Sequence, residues 1–254
     1  MKIISFLAQK GGTGKTTTAA NIGTCLTRQG FTVLFIDLDQ QGNLADILAP
    51  SETGKGTILN VLKGETDLQD AAVITEYGDL VFSDPEQYLY EPEPRDLANV
   101  IRTAADKYDY CIIDNPPQLT GWTAASIYAA DYIVMPTQAD VFGTKSITQL
   151  LNTVNTIRAT TGHAGHVTGV LLTRYNGRTV LARQAREYLK KTAKDAGTAL
   201  FSTDIRECNA IKEAQASGDD LYTYAPKSNA ARDYRAVTTE LLERINETEQ
   251  GNRK

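Results

Sequence analysis

The ten residues AQKGGTGKTT, at positions 8–17, constrain this chain more than any other part of it. An apolar run typical of a strand, residues 3–7, precedes them, and a helix-like segment, residues 16–28, follows them. They match the phosphate-loop pattern GxxxxGK[ST] apart from its first glycine, which is replaced. A strand, a glycine-rich loop and a helix in this order are typical of an open α/β sheet that binds a nucleotide.

The residue types in this loop suit a phosphate group. Glycines let successive backbone N–H groups turn inward, and the helix that follows directs the positive end of its dipole at the same place. Lys15 can reach the β- and γ-phosphates, and the Thr16 hydroxyl can bind Mg²⁺. Lys10 adds a second cation at the mouth of the loop. A glycine-rich turn with incidental lysines is the alternative, which two lysines flanking glycines disfavour.

Carboxylates end two further strand-like runs. Asp37 and Asp39 close the first, in FIDLDQQGN (35–43), and Asp114 closes the second, in YCIIDNPP (110–117). Asp37 and Asp114 could hold Mg²⁺ with Thr16, and Asp39 is our candidate for orienting the attacking water. Each acid alone could instead cap the next helix. Together with the phosphate loop, they predict a magnesium–nucleotide site in which Lys10, Lys15 and Asp39 are catalytic.

Composition agrees with one α/β domain. The chain has 254 residues and no apolar run of about 18 residues, so we expect no membrane span. Its three cysteines are widely spaced, which predicts a reducing cytoplasm and no disulfide framework. His163 and His166 could form a metal-binding pair, but their glycine-rich surroundings favour an exposed turn.

Apolar runs alternate with helix-like segments along most of the chain. This order predicts a doubly wound, mostly parallel sheet with helices on both faces, in a single domain spanning residues 1–246. Residues 247–254 are expected to form a disordered tail. The acidic, proline-rich stretch DPEQYLYEPEPR (84–95) is expected to be an exposed connector, with a partner contact as the alternative. The strand-like runs are 2–7, 32–36, 80–82, 110–113, 132–135, 167–172 and, less distinctly, 198–202. The helix-like segments after the first are 57–63, 96–107, 120–129, 147–161, 181–196, 206–217 and 230–246.

Charge is unevenly distributed. The net charge is −5, but residues 1–173 carry 11 basic and 19 acidic side chains, and residues 174–254 carry 15 and 12. A basic stripe on the predicted helix 181–196 could bind DNA phosphates, and Lys227, Arg232 and Arg235 could extend it. A solvated helix face is the alternative. The candidate DNA-binding residues are Arg183, Arg186, Lys190, Lys194, Lys227 and Arg232.

These motifs resemble those of the ParA/MinD family of deviant P-loop ATPases, and within it the Soj-like ParA partition ATPases. KGGTGKTT resembles the family's phosphate loop with its signature lysine, and FIDLDQQGN and YDYCIIDNPP resemble its two strand-end segments. LLTRYNGRT (171–179) is similar to its nucleotide-base segment, and YAPKSNAARDY (224–234) to its C-terminal signature. The similarity runs in family order from residue 2 to about 242.

The resemblance implies a P-loop NTPase fold of the SIMIBI type and a homodimer that sandwiches ATP. It also implies a slow, partner-stimulated ATPase at the nucleoid, with Mg²⁺, non-specific DNA and a ParB-like centromere-binding protein as ligand and partners. Lys10 would reach the phosphates of the partner subunit, and Asn176 would contact adenine, with Arg174 nearby. The expected ATP-binding residues are Lys10, Gly11, Gly12, Thr13, Gly14, Lys15, Thr16, Thr17, Arg174 and Asn176.

Three departures from the family pattern stand out. Gln40 replaces a usual proline, Asn115 a small residue or cysteine, and Asn229 an arginine that related chains use for DNA. The phosphate loop lies almost at the first residue, so we expect no helix-turn-helix domain before it. A MinD-like membrane-positioning ATPase and a nucleotide-gated scaffold remain alternatives, although ETEQGNRK (247–254) is a poor membrane anchor. The cysteines do not form the bridging pair of an iron–sulfur relative.

Overall fold

A computed structural model of the chain describes residues 1–50, 52 and 54–251. Its strands are β1 (Lys2–Phe6), β2 (Val33–Asp37), β3 (Val73–Thr75), β4 (Gly78–Val81), β5 (Tyr110–Asp114), β6 (Tyr132–Thr137) and β7 (His166–Leu172). Its helices are α1 (Lys15–Arg28), α2 (Asn43–Leu48), α3 (Ile58–Leu62), α4 (Leu68–Ala71), α5 (Pro94–Arg102), α6 (Gly121–Ala129), α7 (Val141–Thr161), α8 (Val180–Asp195), α9 (Ala210–Ser217), α10 (Leu221–Tyr224) and α11 (Asn229–Gly251).

Within the described residues the strands form one seven-stranded sheet in the order β3-β4-β2-β5-β1-β6-β7. Its pairs are parallel except for β3 with β4, which is antiparallel. Strands β2 and β5 are buried along their whole length, as strands covered on both faces must be. The predicted doubly wound, mostly parallel sheet in a single domain is confirmed.

Helices cover both faces of this sheet. Ile3 and Ile4 are neighbours in β1 and are fully buried, yet they belong to different apolar clusters, because successive strand residues point to opposite faces. Helices α1 and α11 pack over Ile4, whereas α3 to α6 pack over Ile3. A third cluster lies beneath α7 and α8. At Gly23 a Cβ atom would come within 2.2 Å of the Phe35 ring, so glycine allows α1 to lie close against β2.

The sheet register brings the ends of three strands together. Asp114 at the end of β5 is opposite Phe6 of β1 on one side and opposite Asp37 of β2 on the other. Because all three strands are parallel, the residues that follow them meet at one edge. The phosphate loop and both acidic segments therefore share the carboxyl edge of the sheet.

The structure differs from the sequence-based expectations in short elements and at element ends. Strand β3 and helices α2, α4 and α10 were not predicted. Residues 198–202 form only an isolated bridge, between Leu200 and Val170, instead of a strand. Helix α11 continues to Gly251, so residues 247–251 of the expected tail are helical, and residues 252–254 lie outside the described residues. In the part of the chain that the structure describes, no helix combines the length and apolar character needed to cross a membrane.

Candidate functional site

The phosphate loop joins β1 to α1 and is held by residues that follow β6 and β7. Gly12 and Gly14 have φ angles of 76° and 78°, a backbone region that favours glycine. Gln138 Nε2 donates a hydrogen bond to the Gly12 carbonyl at 2.9 Å. Thr173 Oγ1 donates to the Thr13 carbonyl at 2.5 Å. The loop shape is thus fixed by two neighbouring strand ends.

Helix α1 starts directly at this loop. Gly14 occupies its N-cap position, and no described side chain caps the helix or places an acid in its first turn. The first N–H groups of a helix lack intrahelical partners and lie at the positive end of its dipole. The start of α1 therefore offers the donors and the field that bind an anion.

Lys15, Thr16 and Asp114 are in direct contact. Lys15 Nζ lies 2.6 Å from Asp114 Oδ1, and the Thr16 hydroxyl donates to Asp114 Oδ2 at 2.7 Å. The Lys15 side chain is 7% exposed and that of Asp114 is 0% exposed. Burial raises the pKa of Asp114, and the Lys15 ammonium opposes that rise. The sheet thus holds a lysine, a hydroxyl and a carboxylate where a nucleotide's phosphates meet Mg²⁺ in P-loop proteins.

The two aspartates after β2 occupy different positions. Asp37 is fully buried and accepts hydrogen bonds from the amides of Asp39 (2.9 Å) and Leu44 (3.2 Å), which fixes the turn into α2. Burial and the nearby Asp114 carboxylate raise the pKa of Asp37 to about 8. Asp39 Oδ2 lies 4.0 Å from Lys15 Nζ. Asp39 is therefore beside the lysine that would contact the terminal phosphates.

The donor set fits a magnesium ion. Mg²⁺ takes oxygen ligands, keeps several waters and shares substrate phosphates. The Thr16 hydroxyl and the carboxylates of Asp37 and Asp114 supply oxygen atoms, and a cation beside two buried carboxylates would offset the burial that raises their pKa values. Among the described residues, no three His, Cys, Asp or Glu side chains form a metal site by themselves. Phosphate and water would have to complete the coordination.

Lys10 lies on the outer side of the loop. Its Nζ atom is 2.9 Å from Asp140 Oδ2, with side-chain exposures of 40% and 33%. Asp140 also caps α7 by accepting a hydrogen bond from the Gly143 amide at 2.6 Å. In the single chain, Lys10 is thus paired with its own β6–α7 connection, at the surface, while Lys15 points into the buried cluster.

Asn115, one of the departures from the family pattern, joins two strands behind the site. Its Nδ2 atom donates to Ser5 Oγ at 2.9 Å and to the Phe6 carbonyl at 3.0 Å, and its side chain is fully buried. Gln40 is exposed in the turn after β2, and Asn229 is exposed at the start of α11.

A cavity of about 170 Å³ opens beside the phosphate loop. Gly12, Gly14 and Thr17 line one side, and Thr173 and Arg174 line another. The Arg174 guanidinium is 3.0 Å from Glu207 Oε1, and Arg174 has a φ of 49°, which is unusual for a residue with a side chain. The cavity has the position expected for the rest of a nucleotide bound through its phosphates.

Asn176 does not line this cavity. It lines a neighbouring one of about 630 Å³, together with Arg178, Arg206 and Glu207. Arg206 and Glu207 line both cavities, so the two spaces share a wall. Asn176 Oδ1 accepts a hydrogen bond from the Arg178 amide at 3.2 Å.

Sequence reasoning missed the segment that closes the smaller cavity. Residues 205–209 precede α9, although a helix was predicted from residue 206. Glu207, Cys208 and Asn209 line the cavity. The Ile205 amide donates to the Leu172 carbonyl at 2.8 Å, so this segment extends the carboxyl edge beyond β7. The predicted strand at 198–202 was the available signal for this segment. A chain that runs parallel to β7 must end at the carboxyl edge of the sheet, where the cavity lies.

The candidate DNA-binding residues do not share one environment. Lys190 and Lys194 are exposed on α8. Arg186, on the same helix, is 23% exposed and its Nε atom donates to Asp204 Oδ2 at 2.8 Å. Arg183 donates to the carbonyls of Gly177 and Arg178. The predicted stripe therefore contains two outward lysines and two arginines that already bond within the chain.

Lys227 lies two residues before α11, and Arg232 lies in the first turn of that helix. Both are exposed, and Arg232 donates to the Lys227 carbonyl at 2.8 Å. Their neighbour Arg235 lies over the Tyr222 ring at 5.0 Å and donates to the Pro226 carbonyl. Arg232 and Arg235 therefore already make contacts within the chain.

The site and sheet together define an α/β nucleotide-binding protein with a phosphate loop at the carboxyl edge. Residues 1–164 match a family model described as an AAA domain. The chain is 33% identical to the chromosome partitioning protein ParA of Caulobacter vibrioides over 257 residues, covering 96% of this chain and 95% of that one. It is 32% identical to Soj of Bacillus subtilis, the sporulation initiation inhibitor protein, covering 94% and 98%.

Solved structures agree with these relatives. McdA from Cyanothece, in a complex with ATP, superposes with a TM-score of 0.84 at 26% identity, covering 97% of this chain and 96% of that one. The cobyrinic acid a,c-diamide synthase of Mycobacterium smegmatis, with a bound ATP analogue and magnesium, gives 0.81 at 26% identity and the same coverage. The chain belongs to the ParA/MinD family of P-loop ATPases. It is an ATPase that converts ATP and water to ADP and phosphate with Mg²⁺.

Proposed function

We propose that this ATPase partitions DNA: it dimerises around ATP, holds DNA without sequence preference as a dimer, and hydrolyses ATP when a ParB-like partner stimulates it. The observation that carries this proposal is the pair of lysines in one loop. Lys15 is buried against Asp114, whereas Lys10 lies at the surface and pairs with Asp140. A surface lysine at the mouth of a phosphate loop can exchange Asp140 for the phosphates of a second subunit.

The nucleotide would be bound from the loop outward. Lys15 and the N–H groups at the start of α1 hold the β- and γ-phosphates, and Thr16, Asp37 and Asp114 hold Mg²⁺ directly or through water. Asp39, next to Lys15, orients the attacking water, while Lys10 of the opposite subunit neutralises developing charge. The proposed ATP-binding residues are Lys10, Gly11, Gly12, Thr13, Gly14, Lys15, Thr16, Thr17, Arg174 and Asn176.

DNA would be held through its phosphates by the basic surface of α8 and the start of α11. Lys190 and Lys194 are its exposed cations on α8, and Lys227 and Arg232 extend it. Such contacts read no sequence and weaken steeply with salt. Two copies of a weak surface bind far better than one, so dimerisation by ATP would switch DNA binding on. The protein would then act at the nucleoid, in the cytoplasm.

The relatives named ParA and Soj favour chromosome or plasmid DNA as the cargo. McdA and MinD share the fold, so the fold alone does not select DNA as the cargo, and DNA binding must be measured. A MinD-like membrane role has no supporting observation in the described residues. The last turns of α11 expose Glu243 and Glu247, and an anionic membrane surface would repel these carboxylates.

The test uses Asp39→Ala, which we expect to bind ATP and Mg²⁺ but to hydrolyse it slowly. Sedimentation velocity should show a dimer with Mg-ATP and a single chain with Mg-ADP. Cosedimentation with random-sequence DNA should require ATP, and cosedimentation with anionic vesicles should fail. Lys10→Ala is the matched control, because it should bind ATP through Lys15 yet remain single.

Three results would count against this proposal. They are an Asp39→Ala protein that stays single at saturating Mg-ATP, an ATP-dependent dimer that binds vesicles but not DNA, and a Lys10→Ala protein that dimerises as well as the parent. Parental turnover in Asp39→Ala would reject that residue's role and leave the dimer measurement standing.

A further inference from the structure

The acidic segment 84–95 is an ordered surface connected to the active-site edge. Gln87 is 3% exposed, and its Nε2 atom donates to the carbonyl of Leu38. Trp122 Nε1 donates to the carbonyls of Gln87 (2.9 Å) and Tyr90 (3.0 Å). The expected exposed connector is therefore anchored at its centre to the turn after β2 and to α6.

Both ends of the segment are also fixed. Asp84 Oδ2 accepts a hydrogen bond from the Thr57 hydroxyl at 2.7 Å. Glu91 Oε1 accepts one from the Gly121 amide at 2.9 Å, at the first residue of α6. A segment held at both ends and in the middle presents its remaining side chains without a further ordering cost, which favours binding.

The side chains that remain are large and apolar. Tyr88 is 68% exposed and Leu89 is 71% exposed, between the buried Gln87 and the Trp122-bonded Tyr90. Leu119, two residues before Gly121, is 42% exposed. Exposed aromatic and aliphatic side chains on a rigid backbone are typical anchors of a protein interface.

The charge around these side chains decides what can cover them. Five acids and one base lie within residues 84–96, giving a net charge of −4: Asp84, Glu86, Glu91, Glu93, Asp96 and Arg95. This field repels DNA and anionic lipid. A second copy that docked the same segment against itself would meet the same repulsion. A basic protein segment is attracted, and an arginine can also stack on the Tyr88 ring.

We propose that Tyr88 and Leu89, with the acids around them, form a docking surface for a basic partner segment that carries an apolar anchor. Docking there acts on the ATPase site, since Gln87 holds the carbonyl of Leu38, the residue between Asp37 and Asp39. The Leu38 amide in turn donates to the Asp114 carbonyl at 2.8 Å. The segment that carries the surface is thus one hydrogen bond from the Asp37–Asp39 segment and two from Asp114.

The binding test uses three synthetic 14-residue peptides and the full chain. One peptide carries five Lys or Arg and two Leu, the second replaces Leu by Ser, and the third replaces the cations by Glu. Fluorescence anisotropy should give the tightest binding for the first. Tyr88→Ser with Leu89→Ser should weaken it by about tenfold, a typical loss for interface anchors.

The chain offers a matched control in Leu181 and Tyr188 on α8, which are 62% and 60% exposed. Leu181→Ser with Tyr188→Ser should leave affinity for the first peptide unchanged. Glu86→Lys, which leaves the apolar anchors in place, should weaken the first peptide and improve the third. Equal losses in the two double variants, or equal binding of the Leu and Ser peptides, would overturn the proposal. The proposal would also fail if Tyr88→Ser with Leu89→Ser lost the Mg-ATP dimer but bound the peptide as the parent does. A second copy of the chain would then be the occupant.

The link to the site is tested by turnover. Saturating first peptide should change the steady-state ATPase rate of the parent by at least about fivefold, the lower range of measured couplings between sites. Gln87→Ala keeps the Trp122 hydrogen bonds to the backbone carbonyls of residues 87 and 90, so it should still bind the peptide but lose this response. An unresponsive parent, or a Gln87→Ala protein that responds fully, would refute transmission through Leu38. Far-UV circular dichroism and thermal melting of each variant show that it is folded.

Discussion

Two positively charged regions of this molecule are built on opposite physical principles. At the phosphate loop, Lys15 is buried and lies 2.6 Å from Asp114, the last residue of β5. On α8, Lys190 and Lys194 are exposed and separated by a helical turn. The first region derives its chemistry from a few buried contacts. The second depends on the number of charges that face solvent.

The difference predicts how each region responds to change. A buried charge cannot lose its partner without leaving the other uncompensated, so single substitutions there should be severe. Exposed charges act through a screened field, so their effects should be small, additive and dependent on salt. Arg186 lies between these extremes, because it belongs to the α8 stripe yet is half-buried against Asp204.

The largest effect should come from Lys15→Ala. Loss of its phosphate contact should reduce turnover by at least about 10³-fold. It should also destabilise the protein without nucleotide by about 3–5 kcal/mol, because Asp114 stays buried without its cation. Urea unfolding and steady-state ATPase rates measure the two effects.

Lys10→Ala is the matched comparison within the same loop. Its ion pair with Asp140 is half-exposed, so its loss should cost less than about 1 kcal/mol. Turnover should still fall, because the proposed dimer lacks its cross-subunit cation. Equal destabilisation by the two substitutions would show that burial does not separate these lysines.

Arg186→Ala should have an intermediate effect. It leaves the Asp204 carboxylate, 14% exposed, without its ion-pair partner, which should destabilise the protein by about 1–3 kcal/mol at neutral pH. Burial raises the pKa of Asp204, and Arg186 holds that rise back, so the variant's pKa should be higher still. Parent and variant should therefore differ most where Asp204 is ionised in the parent.

The difference should shrink as the pH falls through the raised pKa of Asp204, because the protonated carboxyl needs no cation in either protein. Chemical denaturation at several pH values checks this. A pH-independent loss would indicate that Arg186 acts through packing alone. Lys190→Ala should show no change in stability at any of these pH values.

The smallest effect on the fold should come from Lys190→Glu with Lys194→Glu. Stability should change by less than about 0.5 kcal/mol, as is usual for exposed substitutions. DNA affinity of the ATP-bound protein should fall, and the slope of log affinity against log salt should decrease by about two for each subunit. Lys63→Glu, an exposed lysine just after α3, controls for net charge. A parental salt slope in the double variant would remove α8 from the DNA surface.

Features of this molecule that depend on local sequence could be predicted, and features that depend on distant contacts could not. The loop, the strand-end acids and the parallel sheet were read from local patterns, because buried strands and glycine-rich turns leave few alternatives in sequence. Short elements such as β3 and α2 were missed, since they depend on contacts rather than on periodicity. The cavity wall at residues 205–209 was assigned to a helix. Its non-helical path depends on hydrogen bonds between the backbone of Ile205 and those of Leu172 and Tyr175, and no local pattern records that pairing.

The basic stripe shows the limit most directly. Helical spacing placed Arg186 and Lys190 on one face, but spacing cannot tell that Asp204 lies beside Arg186 and not beside Lys190. The same holds for residues 84–95, whose prolines and acids suggested a solvated connector, whereas Gln87 and Trp122 bind it to the site. In both regions a partner distant in sequence decided the role of a residue.

By itself, the sequence determined the order of the strands along the chain, the phosphate loop and the carboxylates at the strand ends, because these features depend on neighbours within a few residues. The tertiary structure alone decided which cations are buried, which are paired and which face solvent. Burial and pairing are set by residues distant in sequence: Lys15 and Asp114 are 99 positions apart, and Lys10 and Asp140 are 130 positions apart. The strength of an ion pair depends on the polarity of its surroundings, and the buried surroundings of Lys15 and Asp114 form only when the chain folds.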